Sequence, residues 1–169
     1  DAELRWALLR RLCVLGKVSA AEIEEEYARD RGAAGAEHAA WCRAARPDPD
    51  AKEQAWRALI GDPALSNRLL FATADGFWQP DQEALTRSYV DRYGQDVPEM
   101  ARQRPAQVAG RIAGFGYPRF AVAPETLEMS ARMLARDDLP PSIRRSVVDA
   151  THELQRSLAA RELARTGLA

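Results

Sequence analysis

Lysine is nearly missing from this chain: two lysines, Lys17 and Lys52, stand beside 22 arginines in 169 residues. Val, Ile and Thr are also sparse, 17 together against 49 Ala and Leu. β-Branched side chains favour strands, and Ala and Leu lose little freedom in a helix. The shortage therefore argues against a β-rich fold and predicts an all-α chain. Only two cysteines, Cys13 and Cys42, and two histidines, His38 and His152, occur. Two thiols are too few for a disulfide scaffold and fit a reducing compartment, so the expected location is cytoplasmic. No run approaches the roughly 18 to 20 apolar residues that span a bilayer, which excludes an integral membrane protein. A net charge of −1 lacks the basic excess that phosphate binding draws on, so no nucleic-acid partner is expected. The opening Asp1-Ala2-Glu3-Leu4-Arg5-Trp6 has no initiator Met and no basic-then-apolar signal order. The expectation is a piece of something longer, without a signal peptide.

What is present reads as a row of helices. Leu4, Leu8, Leu12 and Leu15 share one face of a first helix, widened by Trp6, Leu9 and Cys13, and Gly16 supplies its stop. Ser19 to Glu22 forms a capping box for a second helix, with Ile23 and Tyr27 inward and Glu24-Glu25-Glu26 outward. Pro47-Asp48-Pro49-Asp50 separates a third, Ala-rich helix from a fourth, which stops at Gly61-Asp62-Pro63. Ser66 or Asn67 caps a fifth that runs toward Gly76-Phe77-Trp78-Gln79-Pro80. Leu85, Tyr89 and Tyr93 line a sixth, ended by Gly94, with a short piece around Met100 after it. Pro105 opens a helix closed by Gly114-Phe115-Gly116-Tyr117-Pro118. Pro124 starts one with Leu127, Ala131 and Leu134 on a face. Pro140-Pro141 begins the longest, where Ile143, Val147, Ala150, Leu154 and Leu158 align. About ten helices with short connections predict an irregular HEAT-like superhelix of antiparallel hairpins, taken as one domain over 1–169.

Catalytic chemistry is hard to place in this pattern. His38 and Cys42 are four apart, half of a zinc site, but completing it requires Cys13 and His152 from distant parts of the chain. His152-Glu153 begins like His-Glu-x-x-His, yet Arg156 stands where the second imidazole belongs, so the pair that grips zinc is missing. No Gly-x-Ser-x-Gly elbow exists, and neither cysteine has an activating context. The expected catalytic and metal residues of this chain are therefore none. One asymmetry points to a ligand. Between Glu99 and Glu125 no acidic residue occurs, while Arg102, Arg104, Arg111 and Arg119 all fall there. Guanidinium groups of this density can hold a carboxylate or phosphate. The competing reading pairs them with acids from neighbouring hairpins.

Several stretches taken in order carry a family likeness. They are Asp1 to Trp6, Ala44 to Asp48 with Lys52 and Trp56, and Leu65-Ser66-Asn67. Gly76 to Pro80, Pro124-Glu125-Thr126-Leu127 and Asp138-Leu139-Pro140-Pro141-Ser142-Ile143-Arg144-Arg145 complete them. Together they resemble the C-terminal helical domain of actinobacterial zinc aminopeptidases of the M1 family, aminopeptidase N type. Tyr93-Gly94 departs from the aromatic pair expected there. The resemblance implies a parent hydrolase that removes N-terminal amino acids from peptides. Its zinc, held by His-Glu-x-x-His plus a downstream Glu, and its Gly-x-Met-x-Asn motif would lie outside this chain. The fragment alone would be inactive and free of cofactor. Its implied partners are the remaining parent domains and the peptide substrate, whose chamber it would wall. Arg102, Arg104, Arg111 and Arg119 become candidates for holding the peptide carboxylate. A different class of reading is a free-standing helical-repeat scaffold that binds a partner protein.

Overall fold

The computed structural model describes residues 1–62 and 65–167. Among these residues there are ten α-helices and one 3-10 turn and no strand, as the composition predicts. The described residues contain no helix long and apolar enough to cross a membrane. The chain divides into two compact units, Asp1–Thr86 and Arg87–Ala169.

The first unit holds α1 (Ala2–Val14), α2 (Ala20–Arg29), α3 (Ala33–Ala45), α4 (Pro49–Gly61), α5 (Asn67–Phe77) and α6 (Glu83–Thr86). Its helix ends follow local chemistry. Ser19 Oγ accepts the Glu22 N–H while the Glu22 carboxylate takes the Ser19 N–H, the reciprocal box expected of that spacing. Asp48 caps α4 through the Ala51 N–H at 2.8 Å, and Ser66 caps α5. Gly16 has φ +66, the left-handed turn that stops the chain after α1. The predicted stop of α4 is met at Gly61 and Asp62; Pro63 lies outside the described residues.

Packing here runs between alternate helices: α3 packs most broadly on α5 and then on α1, while α2 and α4 lie against α3 and α5. Gly76 makes the α3–α5 approach possible, since a Cβ there would stand 2.4 Å from the Trp41 carbonyl oxygen. Trp56, Phe77 and Trp78 fill the space beside it, with ring centroids 5.3 and 5.1 Å apart. The carbonyls at three helix ends are then met by two buried side chains. Gln82 Nε2 donates to Val14 O at 3.1 Å and Ala45 O at 2.9 Å. Lys52 Nζ donates to Ala44 O and Phe77 O, both at 2.6 Å, beneath the Phe77 ring.

Two expectations fail in this unit. The leucine stripe of α1 does not face the core: Leu4 and Leu8 are 61% and 58% exposed, and Leu12 and Leu15 are exposed as well. Of the residues that widen the stripe Trp6 and Cys13 are buried, together with Val14, because the Trp6 indole donates to Asp30 and stacks on His38, which rotates that side of the helix inward. Glu26 is not part of a solvated run. It is buried between Arg5 at 2.7 Å and Arg29 at 3.4 Å, the first of these coming from α1.

The second unit holds α7 (Ser88–Ala101), α8 (Ala106–Phe115), α9 (Pro124–Leu134) and α10 (Pro141–Thr166), with α7 on α9 and α8 on α10. Gly94 does not end a helix: α7 runs through it and through Pro98, whose missing N–H would have met the Gly94 carbonyl. Its lack of a side chain serves packing, since a Cβ there would lie 3.0 Å from Met129 Cγ on α9. The piece around Met100 is the last turn of the same helix. On α9 the buried face is Thr126, Met129, Ser130 and Met133, one step round from the expected Leu127, Ala131 and Leu134. The two hydroxyls tolerate burial because Thr126 donates to Ala121 O at 2.6 Å and Ser130 meets the Tyr117 hydroxyl at 2.7 Å. Arg144 donates to Leu134 O and Arg136 O, closing the end of α9 from α10. Ile143, Val147 and Leu154 are buried on α10 as expected.

Burial holds the Lys52 ammonium down to about pKa 7, against the two carbonyls and ring that favour its charge. From about pH 7 to the free-lysine value near 10.4, the unfolded chain therefore binds more protons than the folded one. Stability should rise with pH across that window, by at most about 1.4 kcal/mol per unit. Urea melts at pH 7 and pH 9 should show this rise in the wild type and not in Lys52→Met. That variant should also lose about 1–3 kcal/mol at pH 9 through the two carbonyls left without a donor. Gly76→Ala should cost at least as much as ordinary overpacking, about 1–3 kcal/mol, because its methyl meets backbone. A Tm equal to wild type would contradict the packing just described.

Candidate functional site

The second unit carries a groove of about 1140 Å³ along the seam of α8 and α10. Its position follows from glycine spacing. Gly110 and Gly114 are four apart on α8, and Ser142 and Ser146 of α10 lie against them, a Cβ on Gly110 falling 3.1 Å from Ser142 Cβ. Ser146 Oγ donates to Gly110 O at 2.8 Å and fixes the register. The helices thus meet closely at the seam, and the larger Phe115, Phe120 and Leu154 line the space beside it. The volume is at or above the usual size for small-molecule sites, with an apolar body and a few charged groups, the composition such sites share.

The charges are mainly guanidinium. Arg111 and Arg119 line the groove, and both are exposed. Arg119 donates to Phe115 O at 2.9 Å, and the Arg111 guanidinium lies 5.6 Å from the Phe115 ring, so one aromatic residue steadies both. Arg145, one turn after Ser142, adds a third cation. It makes no hydrogen bond or ion pair with any described residue. Glu153 is the acidic residue of the lining, and it is tied to Arg156. Ser142 Oγ is buried in the groove wall with no hydrogen-bond partner among the described residues. Three cations, an unmet hydroxyl and an apolar floor suit an anionic end group on a partly apolar ligand.

The four arginines singled out in the sequence therefore separate. Arg111 and Arg119 come together in the groove, whereas Arg102 and Arg104 do not line it. Arg102 bridges Glu99 and Asp138, both at 2.8 Å. Hydrogen bonds from Arg136 and then from Arg102 hold the Asp138 carboxyl down to about 2. The acid-free stretch is acid-free in sequence only, because Asp138 arrives from the turn before α10. Arg145 was missed because it lies in a stretch with acids on either side, Asp138 and Asp149. Its legible feature was the spacing Ser142, Arg145, Ser146, which places all three on one face of α10.

Metal ligation finds no support in the geometry. Cys13 and Cys42 do meet in the core of the first unit, each buried, and the contact pushes the Cys42 thiol up and the Cys13 thiol down. His38, however, stacks on Trp6 and faces Glu3 rather than the thiols. Among the described residues no three His, Cys, Asp or Glu side chains group so as to hold a metal ion.

The ERAP1-like C-terminal domain model matches residues 1–156. Aminopeptidase N of Streptomyces lividans is 37% identical over 160 residues, which covers 95% of this chain. The same match covers 19% of that relative, so the chain spans about a fifth of its length. With the model matching nearly the whole chain and the all-helical architecture agreeing with it, the chain belongs to the family of ERAP1-like C-terminal domains.

Proposed function

We propose that this chain is the non-catalytic C-terminal domain of an M1-type zinc aminopeptidase. The longer enzyme removes N-terminal amino acids from peptides, and this domain walls its substrate chamber and limits which peptides enter. Zinc and the reacting groups belong to the rest of the polypeptide. The α8–α10 groove receives the far end of the peptide: Arg111, Arg119 and Arg145 face its carboxylate, and Phe115, Phe120 and Leu154 take its last side chains. One observation carries the reading, the convergence of these three cations over an apolar seam of suitable volume. Family membership and the likeness to an aminopeptidase N support the parent activity. The two buried free thiols support a reducing, cytoplasmic setting.

A carboxylate held by arginine should contribute to binding more than to the chemical step. In the full-length enzyme, Arg111→Ala, Arg119→Ala and Arg145→Ala should each raise KM for free peptides severalfold and for C-terminally amidated peptides little, with kcat nearly unchanged. Equal effects on the two substrate series would remove the carboxylate assignment. The 169-residue chain alone should show no hydrolysis of an amino-acid arylamide, with or without added zinc; turnover that follows the purified chain would overturn the non-catalytic reading.

A further inference from the structure

The outward face of α1 is built the wrong way round for a surface helix. Three of its four charged side chains turn to neighbours at its flanks: Arg5 pairs with Glu26, Glu3 lies 3.5 Å from His38, and the Arg10 guanidinium sits over the Trp41 ring, while Arg11 is exposed on the ridge between Leu8 and Leu15. Leu4, Leu8, Leu12 and Leu15 are left facing out at spacings of four, four and three, 61%, 58%, 42% and 46% exposed. Apart from Leu163 they are all of the exposed large apolar side chains among the described residues, and they lie in one stripe. Scattered exposed leucines are ordinary, whereas four on one ridge form a surface that packs.

We infer that this stripe is the seat of an amphipathic helical hairpin from the part of the same polypeptide that lies outside these 169 residues. The pattern of the first unit supplies the argument. The middle helix α3 is sandwiched in a row between α1 and α5, with α2 lying against α3 and α4 against α3 and α5. Within the described residues of the first unit, helix α1 has α3 on one side and its leucine ridge exposed on the other. It stands at the end of its row with the ridge a further repeat would fill. Repeat proteins close such ends with polar caps, and here the end is leucine. The domain type is described as C-terminal, and more than four-fifths of the matching aminopeptidase N lies outside the aligned part, so chain is at hand in such a protein to supply the hairpin. The inference rests on reading the chain as one domain of a longer polypeptide.

Thiol labelling of the full-length protein tests it. Cys13 and Cys42 are buried, so the background from this domain is low. Leu8→Cys should react with a maleimide at least tenfold more slowly than Leu163→Cys, whose leucine is 71% exposed, and the ratio should hold on hundredfold dilution. Equal rates at the two positions would overturn the proposal. Protection that fades on dilution would overturn it too, by assigning the face to a second copy of the chain. If Leu8→Cys does not accumulate as folded protein, Leu4→Cys reads the same face under the same two criteria. Peptidase activity of the wild type is assayed separately. Its absence with Leu8→Cys still protected would sink the aminopeptidase reading and leave this one standing; activity with Leu8→Cys freely labelled would do the reverse.

Discussion

Three helices of the first unit end side by side, and their last carbonyls are the constraint around which that unit is arranged. The ends of α1 and α3 share Gln82, and the ends of α3 and α5 share Lys52. Each helix C-terminus carries carbonyls without intrahelical donors and a partial negative charge, so three together are unfavourable if buried in apolar surroundings. An amino group between two of them donates to both, even though burial disfavours its charged form. That is why a lysine is tolerated at zero exposure without a carboxylate partner, in a chain that has 22 arginines and one other lysine. A guanidinium would bring five donors in a planar fork to a place with two acceptors, whereas an ammonium is compact enough to sit between them. The adjacent Gly76 contact serves the same arrangement, because α3 and α5 must lie close for one side chain to reach both ends.

Much of this was legible in the sequence, in specific places. Helix starts were marked by residues whose side chains act locally: Ser19 with Glu22, Asp48 before Pro49, Ser66, and Pro124 at a first turn. Faces were less legible. Periodicity alone cannot tell a leucine ridge that packs within the domain from one that faces out, so the α1 leucines read as one stripe with Trp6, Leu9 and Cys13. The determinants of its real orientation, the Trp6 bond to Asp30 and the stack on His38, come from residues 24 and 32 positions away. Glycine was ambiguous in the same manner. Gly16 is a stop with positive φ, but Gly94 and Gly76 are gaps left for another helix, a distinction that depends on what stands opposite.

The same dependence decided the candidate site. An acid-free stretch of sequence is a statement about neighbours in the chain, while pairing is decided by neighbours in space, and Asp138 reaches Arg102 from 36 residues away. Arg111 is in the groove because α8 turns that side toward the seam with α10, and Arg119, in the turn after α8, is held there by its bond to Phe115 O. The lining they share is mostly glycine, serine and aromatic residues, with Glu153 as its acidic residue. Arg145 escaped notice for the converse reason, having acidic neighbours along the chain and none bound to it in the fold.

Arginine abundance therefore needs sorting by what each guanidinium touches. Arg144 closes the end of α9, Arg161 donates to Val122 O, Arg119 to Phe115 O, and Arg5, Arg43, Arg68 and Arg132 hold helices together through carboxylates. These are structural duties that a charge on a long stem performs at the surface, each contributing modestly. A guanidinium with no such duty, placed over an apolar seam beside a buried hydroxyl that also lacks a partner, is the one whose position the fold itself does not require. Arg145 and Ser142 meet that description together. The groove is thus distinguished less by how much positive charge it has than by how little of that charge, at this one turn of α10, is engaged in holding the domain together.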